Sequence, residues 1–212
     1  MAEPLLLPYG ENAWLIELAN IDEVLTARAA ISDELASKVA ELVPGMRTLA
    51  VRFDPQQIDR NLLAERLLAI SRHAAGQPLA RGAGTPILKV PVRYDGADLS
   101  EAAAALGVTA EELKEAHQAC VWTVAFCGFT PGFGYLISHQ WPFDAPRQAS
   151  PRTAVPAGSV AIAGQFSAIY PTVSPGGWQL IGTTELRLFD PARKPAALLT
   201  PGARVRFAEY AP

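Results

Sequence analysis

Cysteine and histidine are scarce in this chain. It has two cysteines, Cys120 and Cys127, and three scattered histidines, His73, His117 and His139, among 212 residues. Two thiols do not make a disulfide framework, and no spacing matches a zinc pattern, so no structural metal is expected. The cysteines read as small buried hydrophobes. Charge of one sign is also lacking. The net charge is −3 and no basic stripe forms, so neither nucleic acid nor a membrane surface is an expected partner. No apolar run approaches the ~18 residues that span a bilayer. The opening MAEPLLLPYGEN has no basic n-region and only three successive leucines. It is not read as a signal peptide, and a cytoplasmic location is expected. Catalytic signatures are missing too. There is no GxxxxGK[ST] phosphate loop and no GxSxG nucleophile elbow, and no Ser-His-Asp set can be nominated by spacing.

Half of the residues are apolar, enough for a full core and for one large or two small domains. Ala13 to Leu18 and Arg47 to Phe53 read as strands, and Lys38 to Val43 as a strand or a helix tail. Asp22 can cap a helix carrying Val24, Ile31 and Leu35. Ile58 to Ala74 is amphipathic, with Ile58, Leu62, Leu63, Leu67 and Ile70 at helical spacing. Ile87 to Tyr94 reads as another strand. The order strand, helix, strand, strand, helix, strand is that of a ferredoxin-like split βαβ. Gly76 to Pro86 is a Gly- and Pro-containing linker, and the strand after it can belong to either side. A boundary here gives an α/β domain over 1–84 and a second domain over 85–212. Leu99 to Leu106 and Thr109 to Ala119 are helical, the latter opened by a Thr109–Glu112 capping box. Beyond Val121 short strands are expected at Trp122–Phe126, Ser159–Ile162, Trp178–Gly182, Leu186–Phe189 and Arg204–Phe207. Short strands with Gly/Pro turns point to a compact barrel or sandwich.

The most informative stretch is Pro151 to Thr184, in which short apolar runs alternate with Gly/Pro turns and Arg152 is the only charged residue. Such turns can present backbone N–H groups and small hydroxyls to a ligand. Candidates are Pro156, Gly158 and Ser159 in PAGS, and Ser174, Gly176, Gly177 and Trp178 in SPGGW; ordinary β-turns are the alternative. GFTPGFGYL at 128–136 sets Phe129, Phe133 and Tyr135 around Pro131 and Gly132. The aromatics either wall a pocket or plug the end of a barrel. Arg147 and Arg152 each follow a proline, which stiffens the approach of a guanidinium suited to carboxylate or phosphate; a surface arginine is the plain alternative. His117, on a helix, is either a structural partner or a base. Asp95 and Asp98 flank Gly96 and read as solvated turn residues.

These motifs resemble the family of 5-oxoprolinase B subunits, also called KipI or allophanate hydrolase subunit 1. The matching segments are VPVRYDGADL at 90–99, EAH at 115–117, GFTPGFGYL, PR at 146–147, PRTAVPAGSVAIAG at 151–164, IYP at 169–171 and SPGGWQLIGTTELRLFDP at 174–191. Weaker similarity covers YGENAWLIEL at 9–18 and VPGMRTLAVRFDP at 43–55. The resemblance implies a ferredoxin-like domain followed by a cyclophilin-like β-barrel, an α+β fold. It implies a C-type partner chain of the allophanate hydrolase subunit 2 family and an A-type protein, together opening 5-oxoproline to glutamate with ATP, with or without magnesium. Two other activities occur on this scaffold. One is a carboxyltransferase component acting on urea, with biotin on the partner; the other is inhibition of a sensor histidine kinase. The resemblance also assigns proton transfer to His117 and anion holding to Arg152. It places N–H donors near Gly158, Gly176 and Gly177, and adds Gln165 and Tyr170 to the binding set. The chain departs from the family pattern at Ile137-Ser138-His139, at Gln165-Phe166-Ser167-Ala168, and at Thr183, where an arginine is usual. These departures bear on the substrate more than on the fold.

Overall fold

In the computed structural model the described residues are 3–77 and 86–210. The chain divides into two compact units, Met1–Gly84 and Thr85–Pro212. Most of the expected linker lies outside the described residues.

The first unit runs β1 (Leu5–Pro8), β2 (Ala13–Glu17), α1 (Ile21–Leu35), β3 (Val39–Pro44), β4 (Thr48–Phe53) and α2 (Arg60–Ala74). The sheet order is β1-β2-β4-β3, with every pair antiparallel. Ile16, Leu49, Val51 and Phe53 of the sheet and Val24, Ile31, Leu63 and Leu67 of the helices are almost fully buried. Asn20, not Asp22, caps α1, its Oδ1 accepting from Glu23 N–H at 3.0 Å. Asp59 caps α2, and Leu62, expected on its apolar face, is 53 % exposed. The sheet has the ferredoxin-like arrangement with one change. The edge strand is supplied by β1 at the start of the unit, while Ile87–Val92 pairs elsewhere.

The second unit contains β5 (Ile87–Val92), α3 (Leu99–Ala105), α4 (Ala110–Ala119), β6 (Trp122–Cys127), β7 (Gly134–Ile137), β8 (Arg152–Val155), β9 (Ser159–Ala163), β10 (Phe166–Ile169), β11 (Ser174–Gly176), β12 (Gln179–Thr183) and β13 (Arg204–Glu209). Seven strands form one sheet, β12-β9-β10-β7-β6-β13-β5, and β8 with β11 forms a separate ribbon. Only β13–β5 is parallel within the seven. The two edges meet where Arg93 and Thr183 exchange backbone hydrogen bonds of 2.9 and 2.7 Å, which nearly closes the barrel. Leu186–Phe189 is not a strand; it makes a single bridge from Phe189 to Ala197.

Alternation along the strands divides the apolar residues into two layers. All seven strands send side chains to one cluster, including Val90, Trp122, Leu136, Ile162, Ile169, Ile181 and Phe207. This is the barrel interior, joined by Ala102 and Leu113 from the helices. The opposite faces of β9, β10 and β12 carry Ala161, Ala163, Ala168 and Leu180, which pack with Phe133, Tyr170, Trp178 and Val155 of the ribbon. Every residue of β9 is therefore buried.

Gly96 lies against β12, where a Cβ would stand 2.3 Å from the Leu180 carbonyl oxygen and the Ile181 carbonyl carbon. Gly96→Ala is expected to destabilise the second unit by about 3 kcal/mol, because the backbone it meets cannot yield. Gly107→Ala, at a φ of +73° with nothing within 4 Å, should cost only about 1 kcal/mol. Urea unfolding followed by tryptophan fluorescence compares the two.

Candidate functional site

The second apolar layer carries four of the expected binding residues, Phe133, Tyr135, Tyr170 and Trp178. Phe133 stands edge-on to Tyr135, Tyr170 and Trp178 at centroid distances of 5.1, 5.4 and 5.8 Å. Tyr135 is half-buried and stacks on Phe126 at 4.5 Å. Phe129 meets Phe133 at 5.4 Å but is itself 56 % exposed. The aromatics of GFTPGFGYL thus build a wall on the outside of the barrel rather than a plug within it. Pro131 is exposed, and Gly132 packs against Phe189.

At one end of this layer lies an ion pair. Arg152, the first residue of β8, donates from Nη2 to Asp98 Oδ1 at 2.5 Å. The Asp98 side chain is only 4 % exposed and that of Arg152 is 32 % exposed. Asp98 is therefore not the solvated turn residue that its place beside Gly96 suggests. Its Oδ2 accepts from Leu180 N–H at 2.8 Å, and its own N–H donates to the Leu180 carbonyl at 2.9 Å. One carboxylate fixes the guanidinium against β12. The other terminal nitrogen of Arg152, Nη1, is buried and has no hydrogen-bond partner. A buried charged donor left unpaired is costly unless a ligand supplies the acceptor.

Gly176 pairs across the ribbon with Arg152. Its missing side chain makes room for the Tyr170 hydroxyl, which a Cβ would meet at 2.2 Å. Burial pushes that hydroxyl above its ordinary pKa, with Tyr135 adding to the rise. Arg147, the Trp178 backbone and Arg152 pull it back. Both arginines of the Pro-Arg pairs thus act on Tyr170, with Arg147 at the exposed rim. Gln148 Nε2 donates to Gln179 Oε1 at 2.7 Å, and Gln179 Nε2 donates to the Pro146 carbonyl at 3.0 Å, holding the segment that carries Arg147. Neither glutamine nor Asp98 stands out in the sequence. Asp98 lies in the VPVRYDGADL motif but reads there as a turn residue, and the glutamine partners lie 31 residues apart.

Other expected members of the site are already committed elsewhere. Gly158 N–H donates to the Tyr170 carbonyl at 2.7 Å, and the Gly158 carbonyl accepts from Thr184 N–H at 2.8 Å. Its N–H is therefore not available to a developing anion, which corrects that expectation. Ser159 Oγ donates to the Pro156 carbonyl at 2.8 Å, and Ser174 Oγ donates to the Thr172 carbonyl at 3.1 Å. The Gly177 carbonyl accepts from Gln148 N–H at 2.8 Å. Gln165 is exposed in the β9–β10 turn.

His117 is the main correction. It lies in the barrel interior at 0 % exposure, stacked on Phe207 at 4.3 Å. Nδ1 faces the Tyr94 hydroxyl at 2.8 Å and Nε2 faces the Ser167 hydroxyl at 2.9 Å. Ser167 Oγ donates to the Ala161 carbonyl at 3.3 Å. Its proton is thereby engaged, so it accepts from Nε2–H, and Nδ1 accepts from Tyr94. Every polar atom of the ring is satisfied by the fold, and burial lowers its pKa to about 3. A neutral, enclosed ring with both nitrogens occupied has no route to a ligand on the outer layer.

A shallow cleft of about 150 Å³ lies at the barrel seam, lined by Pro91, Arg93, Thr183, Thr184, Glu185 and Tyr210. Arg93 there is neutralised by Asp95 at 3.7 Å and Glu185 at 3.5 Å. None of the expected binding residues lines it. The half-used guanidinium and the aromatic wall make the outer layer the stronger candidate.

Against this geometry stand the similarities to known proteins. Residues 4–199 match the family described as carboxyltransferase domain, subdomain C and D. The B subunit of the Escherichia coli O157:H7 5-oxoprolinase is 40 % identical over 173 residues, which cover 80 % of this chain and 77 % of that protein. The solved structure of TTHA0988 superposes with a TM-score of 0.76 at 34 % identity, over 95 % of this chain but only 40 % of that one. The Kluyveromyces lactis urea amidolyase shares the fold, with a TM-score of 0.68 at 18 % identity, over 98 % of this chain and 15 % of that chain.

Burial of neutral His117 makes stability depend on pH. Its folded pKa is depressed below the ordinary value of about 6.5, so protonation favours the unfolded chain. Stability is full above about pH 6.5 and falls by up to about 1.4 kcal/mol per pH unit between there and about pH 3. His117→Gln should remove this slope. Subtracting urea-unfolding free energies of variant and wild type from pH 7 to pH 4 isolates it from the carboxylates.

Proposed function

The chain belongs to the family of carboxyltransferase domains, subdomains C and D, and we propose that within it the protein is the B-type subunit of an ATP-dependent 5-oxoprolinase. A larger C-type chain and an A-type protein complete the enzyme. The observation that carries the reading is Arg152: one arm is anchored on buried Asp98 and the second is free of any partner. A guanidinium held in this way suits a carboxylate. The substrate 5-oxoproline has one, whereas urea has none. The likeness to the B subunit of the Escherichia coli 5-oxoprolinase supports the same choice.

In this reading the chain's residues bind and orient. Arg152 holds the substrate carboxylate, Arg147 adds positive potential at the rim, and Tyr170, Phe133 and Trp178 exclude water from the ring of the substrate. Arg152 serves as a positioning anchor through Asp98 and does not itself attack the lactam. No phosphate loop occurs in the sequence, and this reading assigns the ATP-dependent chemistry to the partner chains. A carboxyltransferase acting on urea or a related amide is the second reading. The description of the matched family supports it, and it requires a biotinylated partner.

The experiment is co-expression with the cognate C-type chain and the A-type protein, followed by ATP hydrolysis and glutamate release with and without 5-oxoproline. Substrate-dependent turnover supports the reading. Turnover only with urea and a biotinylated partner moves the protein to the second. Arg152→Lys keeps a charge for Asp98 but loses the fork. It is expected to leave the complex assembled and to raise KM for 5-oxoproline at least about tenfold, or about 1.4 kcal/mol of binding. An unchanged KM would take Arg152 out of the site. Arg152→Ala, by contrast, should cost about 3 kcal/mol of folding stability, because Asp98 stays buried without its cation.

A further inference from the structure

The hydroxyl of Tyr170 fills the notch that Gly176 leaves in the β8–β11 ribbon. An added Cβ at Gly176 would stand 2.2 Å from that oxygen, and 2.9 and 3.0 Å from the ring carbons Cζ and Cε1. The φ of Gly176 is not in the left-handed region. The backbone therefore does not require glycine at this position; the tyrosine does. Gly176 also lies directly across the ribbon from Arg152. Residues paired in this way project to the same face of an antiparallel ladder, with Cβ atoms about 4.5–5.5 Å apart. The missing side chain thus puts the phenol oxygen on the face of the ribbon from which Arg152 projects, and the guanidinium is near enough to act on its proton.

Both groups have donor capacity left. The Trp178 backbone N–H donates to the Tyr170 oxygen, and among the described residues no acceptor takes the proton of the hydroxyl. Burial keeps that proton on the oxygen at neutral pH. Arg152 spends Nη2 on Asp98 and keeps Nη1 without a partner. With one arm committed, the guanidinium cannot grip a carboxylate with its terminal fork. It holds one oxygen, and the other oxygen needs a second donor.

We propose that the Tyr170 hydroxyl is that second donor: it holds the substrate carboxylate oxygen that Arg152 does not, and Gly176 is the residue that makes room for it. This rests on the function proposed above and deepens it. Tyr170 then does more than exclude water, since it selects the ligand. A carboxamide in place of the carboxylate would turn its own N–H groups toward a donor, leaving both without an acceptor, so the site discriminates against it. Tyr170 is a positioning residue in this scheme; its hydroxyl touches the carboxylate and takes no part in opening the lactam.

The test uses the complete complex, with 5-oxoproline as substrate and 2-pyrrolidinone, the same lactam without its carboxylate, as competing ligand. Tyr170→Phe keeps the ring and loses the donor. It is expected to raise KM for 5-oxoproline at least about tenfold and to leave the inhibition constant of 2-pyrrolidinone within about twofold. Gly176→Ala is the second variant. It keeps the phenol but fills the notch, so KM should rise although the hydroxyl is still present. Thermal unfolding of each variant chain shows that it is folded. A KM unmoved by Tyr170→Phe, in a complex whose wild type is active, overturns this inference alone. A rise that 2-pyrrolidinone shares also overturns it, because the ring and not the hydroxyl is then at work. Failure of the wild-type complex to turn over 5-oxoproline overturns the proposed function, and this inference with it.

Discussion

A single buried carboxylate ties together parts of the second unit that would otherwise be independent. Asp98 lies just before α3, accepts from the backbone of β12, and is the counter-ion of Arg152 at the start of β8. The β8–β11 ribbon shares no ladder with the seven-stranded sheet, so it depends on this pair and on its apolar underside for its place. Gly96 permits the arrangement by letting the chain run against β12. Removing the charge leaves a desolvated carboxylate, and such losses are larger than the net worth of the pair itself. The same geometry that secures the ribbon leaves one arm of the guanidinium unspent. Under the function proposed above, structure and recognition share one side chain.

The barrel separates two kinds of polar group by the face on which they lie. Inside, Tyr94, His117 and Ser167 form a closed hydrogen-bonded chain ending on the Ala161 carbonyl. Outside, Arg152 keeps one buried nitrogen with capacity for another molecule. Residue type does not distinguish these groups; satisfaction does. Histidine is the commoner acid–base residue, yet here it is the one with nothing left to offer.

Legibility from sequence follows the same division. Elements with a clear period are readable: α2 and α4, the capping box at Thr109, and the strands β2, β4, β6, β9 and β13. β1 is not, because three leucines between two prolines carry no periodic signal. Without it, the strand after the linker is weighed as part of the first unit, although it pairs with β13. β7 and β10 are hidden because their Gly and aromatic residues read as turns or pocket walls, and β8 because it is only four residues between Pro151 and Pro156. Of the site, the aromatic wall and Arg152 are visible in their motifs. Asp98 and the Gln148–Gln179 bond are not, since their partners are 31 to 82 residues distant. No local pattern encodes a pairing across that separation.

The parallel pairing of β13 with β5 has a consequence for synthesis. β13 sits between β5 and β6 in the sheet, so the first strand of the barrel has no neighbour on that side until residues 204–209 arrive. On the ribosome the first unit has all its strands in hand by Phe53 and can form early. The barrel must wait until nearly all of its own residues are translated, and until then β5 exposes an unpaired apolar edge. The final strand is thus the closing stave of the barrel, and the nascent chain is most open to wrong pairing just before it emerges.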